Sequence, residues 1–186
     1  MPTFGLVVEG EYDEAALTEL IRKCSVGYTE IVARLCGGSI MNKFPGLLEG
    51  FRYAKQGTHV DKALVIRDAN GKDPNDLLLR MQGKISSRWY PFPVRCVVIV
   101  RELETWLLAD DGAISHVTQE YAGRAVSPVN ESLEDIHEPK ERLKTLLVGV
   151  AYTREVARKI AVALDIKRLR YRCPAFEKFQ EAVLDC

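Results

Sequence analysis

At 186 residues, with 47% hydrophobic and 28% charged side chains, the chain can bury well over half of its unfolded surface as one domain, and its composition excludes a disordered or fibrous protein. Its 26 basic and 26 acidic residues cancel, which excludes coating nucleic acid or membrane by bulk charge but not touching a few phosphates locally. No signal-peptide pattern opens the chain and no apolar run reaches the length of a membrane span, so a cytoplasmic protein without membrane contact is expected.

Phe4–Val8 is short, apolar and nearly continuous, the pattern of a strand covered on both faces, and it ends in Glu9-Gly10. Asp13 then reads as the N-cap of a helix on which Leu17, Leu20, Ile21 and Cys24 recur at i, i+3, i+4 and i+7. Glu30–Leu35 is a weaker strand candidate, because polar residues break its run. Leu47, Leu48 and Phe51 mark a second helix. Ala63–Ile66 repeats the buried-strand pattern and ends in Arg67-Asp68, and Leu78, Met81 and Ile85 mark a third helix. Trp89-Tyr90-Pro91-Phe92-Pro93 reads as a packed lead-in to Val94–Val100, the third clear strand, which ends in Arg101-Glu102.

From about Leu103 onward strand signals stop. Leu143–Val150, Arg154–Leu164 and Pro174–Leu184 read as helices, and Trp106 as the core anchor of its own helix. Strands alternating with helices imply right-handed crossovers. The expected fold is α/β, a Rossmann-like, mostly parallel sheet flanked by helices. Residues 1–110 would form the core, and 111–186 a mainly helical part packed on it.

Each of the three clear strands runs into a carboxylate: Glu9, Asp68 and Glu102. In open parallel sheets the ligand crevice lies at the carboxyl ends of the strands. Each acid has a companion nearby: Asp13 follows Glu9 by four residues, Asn70 follows Asp68 by two, and Glu104 follows Glu102 by two. Hard cations such as Mg²⁺ take oxygen donors of this kind, usually one or two carboxylates with waters. Without a cation the anions repel by roughly 1–4 kcal/mol per close pair. Each acid taken singly also suits a helix cap or a solvated loop. An EF-hand does not fit, since Gly71 is the fourth residue counted from Asp68 where the sixth must be glycine.

Other features are less specific. Cys24, Cys36, Cys96, Cys173 and Cys186 are odd in number, scattered and without CxxC spacing, so they read as small reduced thiols. His59, His116 and His137 lack ligand spacing. The basic run Lys167–Arg172 suits either a nucleic-acid backbone or a solvated helix end. The absence of GxGxxG, Walker A, GxSxG and CxxC motifs disfavours dinucleotide, ATP, hydrolase-triad and thiol-redox chemistry. A receiver-like domain shares the expected architecture, but only fragments of its acid and lysine pattern are present.

Val8-Glu9-Gly10-Glu11-Tyr12-Asp13 resembles the opening motif of the TOPRIM superfamily, the metal-binding domain of topoisomerases, primases and OLD-type nucleases. Asp68-Ala69-Asn70-Gly71 resembles its Asp-x-Asp motif with asparagine in the second place. Almost the whole chain is similar to a small stand-alone TOPRIM-like family, often encoded beside AAA- or SMC-like ATPases. The similarity runs through Arg101–Asp110, the run through Trp106 being the most specific signal, then Glu138–Leu143 and Cys173–Phe176.

The resemblance implies a Mg²⁺- or Mn²⁺-dependent nuclease or related phosphoryl-transfer enzyme acting on nucleic acid, with an ATPase as a further partner. A non-catalytic subunit that keeps the fold to bind an ATPase or nucleic acid is the alternative. By similarity to OLD-type nucleases, Glu9 and Asp13 match the first acidic pair, Asp68 and Asn70 the Asp-x-Asp, and Glu104 with Glu102 the later acidic motif. Lys140 matches a lysine facing the phosphate, and Glu9 also suits a general acid or base. Asparagine at 70 lowers the site's charge by one. A topoisomerase would need a tyrosine nucleophile on another domain, and a primase a zinc module; neither is evident. The sequence leaves the oligomeric state open.

Overall fold

The computed structural model describes residues 2–52 and 59–185, so Cys186 lies outside the described residues. Strands β1 (Thr3–Val8), β2 (Glu30–Leu35), β3 (Lys62–Asp68) and β4 (Val94–Ile99) form one sheet in the order β2-β1-β3-β4. Every neighbouring pair is parallel. Helices α1 (Glu11–Cys24), α2 (Ile40–Arg52) and α3 (Pro74–Ser86) make the three crossovers.

The alternation of side chains along each strand sorts the core into two layers. Phe4, Leu6, Val8, Leu64, Ile66, Val97 and Ile99 pack on the face that carries α1. Val7, Ala63 and Val65 pack on the other, against Phe44 and Phe51 of α2 and Met81 of α3. The chain steps from β1 to β2 over the first face, then back past β1 to β3 and on to β4 over the second. Reversing both direction and face keeps every crossover right-handed. Gly5 in β1 admits the Phe51 ring, since a Cβ there would stand 2.9 Å from its Cε2.

The strand runs read from sequence all form, including the interrupted Glu30–Leu35. At the edge of the sheet that strand is half-exposed, which explains its polar residues. After β4 come α4 (Leu103–Leu107), α5 (Asp111–Ala122), a 3-10 turn (Leu133–Asp135), α6 (Pro139–Leu146), α7 (Arg154–Ala163), α8 (Ile166–Arg172) and α9 (Phe176–Leu184). Their apolar residues join the α1 face of the core, where α7 is the principal neighbour of α1. Trp106 is buried there, edge-on to Phe176 at 4.9 Å and tilted against Phe179 at 5.2 Å.

Three readings need correction. Asp13 is not the N-cap of α1: Gly10 is, and Asp13 stands a turn inside and reaches back to it. Trp89 is 67% exposed rather than packed, with Arg52 over its ring, while Tyr90 and Phe92 do pack. The helix expected to reach Val150 ends at Leu146, α5 was not read from the sequence, and the basic run Lys167–Arg172 lies in helix α8.

The basic run is largely committed to the fold. Arg168 donates to Asp110 at 2.9 Å and to Asp111 at 2.8 Å, and Arg172 donates to the carbonyls of Leu108, Ala109, Val129 and Glu131. Buried Asp110 is the hub of this corner, accepting also from the backbone N–H groups of Gly112, Ala113 and Asp165 at 3.0, 3.3 and 2.9 Å. Asp110→Ala removes a helix cap and orphans buried donors together. It should lower unfolding free energy by about 2–4 kcal/mol in urea titrations.

Candidate functional site

Because all strands are parallel, their carboxyl ends share one edge, and β1, β3 and β4 are consecutive neighbours about 4.8 Å apart. Glu9, Asp68 and Glu102 therefore all lie at that edge, Glu102 three residues beyond the end of β4. The strand order reverses between β1 and β3, so the loops after those two strands diverge to opposite faces and open a crevice between Glu9 and Asp68.

The first turn of α1 brings Asp13 into the crevice, its Oδ2 accepting from Gly10 N–H at 3.0 Å. The fold itself does not demand glycine at 10: its backbone is extended, and a Cβ would meet only Asp13 Oδ2 at 3.9 Å. Glu104, in the first turn of α4, is 5% exposed.

Burial pushes the Asp13 acid up to about 6, against the Gly10 N–H bond and with help from Glu104 and Glu9. Burial likewise holds Asp68 well above the usual carboxylate range, and Asp13, Glu104, Glu9 and Glu102 all add to it. Glu104 is raised by burial, with Lys140 among the groups opposing. The five carboxylates thus act on one another as a single cluster.

Two cations answer them. Lys140 Nζ lies 3.8 Å from Glu104 Oε1, and Arg67 Nη2 lies 3.9 Å from Glu9 Oε1. Lys140 is presented by the first turn of α6 and held over the rings of Tyr12 at 5.2 Å and Tyr152 at 5.9 Å. Those rings pack together at 5.3 Å, and the Tyr12 hydroxyl donates to the Tyr152 carbonyl at 3.4 Å. The Tyr152 hydroxyl is buried beside Glu104, which with burial lifts it far above the usual phenol range. Sequence inspection passed over both tyrosines. Tyr12 had its place beside Asp13 as a signal; Tyr152 had none.

Two of the expected ligands carry structural duties. Glu102 accepts from the Lys140 backbone N–H at 3.2 Å and so caps α6 from across the fold. Asn70 is exposed and left-handed (φ 49°), a conformation asparagine tolerates better than most residues. Its N–H donates to the Arg101 carbonyl at 2.9 Å, tying the loop after β3 to the loop after β4.

Hard oxygen donors, an excess of negative charge and raised acids are the chemistry a Mg²⁺ or Mn²⁺ ion relieves. Among the described residues no three His, Cys, Asp or Glu side chains converge closely enough to hold one ion in common. The arrangement therefore suits an ion that keeps most of its waters and takes one or two carboxylates. His59, His116 and His137 are all exposed, and the four described cysteines are free thiols. No helix among the described residues is long and apolar enough to cross a membrane.

Fold and site together define a three-layer α/β protein with a parallel sheet and a carboxylate cluster at its switch point. Residues 8–184 match the family described as Domain of unknown function (DUF4276), and the chain belongs to that family. No curated protein and no solved structure matches it.

Asp13 holds its proton more tightly folded than unfolded. Its contribution to stability is therefore greatest below pH 3.8 and is lost as pH rises to about 6. Asp13→Asn keeps an acceptor for Gly10 and removes the charge. In metal-free urea titrations it should stabilise the protein by about 1–3 kcal/mol at pH 7.5, and the gain should vanish toward pH 4.

Proposed function

We propose that this chain is a TOPRIM-like, divalent-metal-dependent nuclease or related phosphoryl-transfer enzyme acting on nucleic acid, working with a separately encoded AAA- or SMC-like ATPase. The observation that carries this reading is the delivery of Glu9, Asp68 and Glu102 to the carboxyl ends of three adjacent parallel strands, with Asp13 and the buried Glu104 in the first turns of the helices that follow β1 and β4. Structural ion-pair networks also perturb acids, but those balance their charges, whereas this cluster sets five carboxylates against two cations.

On this reading Asp68 and Asp13 hold a largely hydrated Mg²⁺ or Mn²⁺, and Glu104, Glu102 and Asn70 border it. When bound, the cation supplies charge neutralisation at phosphorus and acidifies a water. Glu9 faces the crevice half-exposed and is suited to move a proton to or from the attacking water or leaving oxygen. Lys140 carries a fixed positive charge, held over the tyrosine pair, toward a phosphate approaching Glu104. Its 43% side-chain exposure leaves the ammonium reachable by substrate.

The non-catalytic alternative draws on the exposed Asn70 and on the lack of a three-carboxylate seat. The two readings separate experimentally. Saturating Mn²⁺ at a hundred times its dissociation constant adds about 2.7 kcal/mol, or roughly 5–10 °C in melting temperature for a domain of this size. Thermal unfolding should show that shift for the wild type and none for Asp68→Ala. Glu9→Gln should keep the shift and lose Mn²⁺-dependent nicking of plasmid DNA. No shift in either protein, or undiminished nicking by Glu9→Gln, sinks the enzymatic reading.

A further inference from the structure

Beside the carboxylate cluster, the loops that follow β3 and β4 enclose a hollow of about 260 Å³ lined by Gly71, Lys72, Asp73, Pro74, Arg101 and Glu134. Its carboxylates are engaged. Asp73 caps α3, accepting from Asn75 and Asp76 N–H at 2.7 and 3.2 Å, and Glu134 accepts from Ala175 N–H at 3.2 Å. Its cations are less so. The exposed Lys72 ammonium makes no hydrogen bond or ion pair among the described residues, and the Arg101 guanidinium makes one hydrogen bond, from Nε to the Glu134 carbonyl at 3.3 Å.

Arg101 also stands in the left-handed region, at φ 67°. That conformation lets its carbonyl receive Asn70 N–H at 2.9 Å. The bond needs the backbone turn, not an arginine, and glycine would adopt the turn without steric crowding. Beyond the single Nε bond to Glu134, the fold gives the terminal N–H groups of this arginine no partner among the described residues. The terminal N–H groups of this guanidinium and the Lys72 ammonium, lining one small hollow, are donors of the kind a phosphate oxyanion takes.

We infer that this hollow is a phosphate subsite. Lys72 and Arg101 hold a phosphate of the nucleic-acid strand next to the one that faces Asp68 and Glu104, and so position the strand across the crevice. The inference rests on the proposed reading of the cluster.

The test is fluorescence anisotropy of a fluorescein-labelled 12-nucleotide single-stranded DNA in Ca²⁺ buffer across a salt series, with thermal unfolding of each protein. Arg101→Gly and Lys72→Ala should each weaken binding about 5–10-fold and reduce the salt slope by roughly one. Arg101→Gly should melt at or above the wild-type temperature, and Arg101→Lys should retain most of the affinity. Wild-type protein that does not bind the 12-mer, variants that bind within twofold of it, or a lowered melting temperature for Arg101→Gly would overturn the assignment. If Lys72 and Arg101 matter for binding but Mn²⁺ gives the wild type no thermal shift, the subsite stands and the metal-dependent reading falls.

Discussion

Parallel pairing of β1 with β3 is the constraint on which the rest of the molecule depends. A parallel sheet has its strands covered on both faces, so charge is excluded from its interior and can gather only at its ends. Every strand here points the same way, so whatever follows the last buried residue of β1, β3 and β4 arrives at one edge. The order β2-β1-β3-β4 then sends the loops after β1 and β3 to opposite faces, leaving the space between them open. Val8, Ile66 and Ile99, all fully buried, end three runs of hydrophobic burial within a few residues of Glu9, Asp68 and Glu102.

That edge is under electrostatic tension. Buried and half-buried carboxylates crowd one another, and burial first, with mutual repulsion adding to it, keeps Asp68 and Asp13 weakly acidic. Lys140 and Arg67 answer only Glu104 and Glu9, at 3.8 and 3.9 Å. The Tyr12–Tyr152 pair stiffens this arrangement, offering an apolar and weakly π-negative platform to the Lys140 ammonium while shielding Glu104 from water. A fold that keeps such a cluster without neutralising it gives up stability at neutral pH.

The helical half completes the site rather than merely extending the core. Lys140 on α6 and Tyr152 before α7 reach the crevice from beyond residue 110, and Glu134 in the 3-10 turn closes one side of the neighbouring hollow. The links holding this half in place are polar as well as apolar. Asp110 with Arg168, Arg172 with four carbonyls, and Glu102 with the start of α6 all bridge elements distant in sequence. Positioning at the crevice therefore depends on the whole chain folding as one body of contacts.

The sequence by itself determined the sheet and the acids. Runs such as Phe4–Val8 and Val94–Ile99 are apolar because both faces are covered, and Glu9, Asp68 and Glu102 are visible because they interrupt those runs. Local periodicity also carried α1, α2, α3 and α7. Helix α5 escaped because its apolar stripe is brief, Ala113, Ile114 and Val117, and its start is set by the Asp110 cap rather than by a long periodic run. Asp13 was misplaced by one turn because a cap and an inward-reaching third residue look alike without backbone angles. Only the tertiary structure decided that Glu102 caps α6, that Asn70 stands exposed at a left-handed turn, and that Tyr152 lies against Glu104. Those facts depend on contacts between residues tens of positions apart, and a linear pattern carries no trace of which distant groups the packed layers bring within a few ångströms.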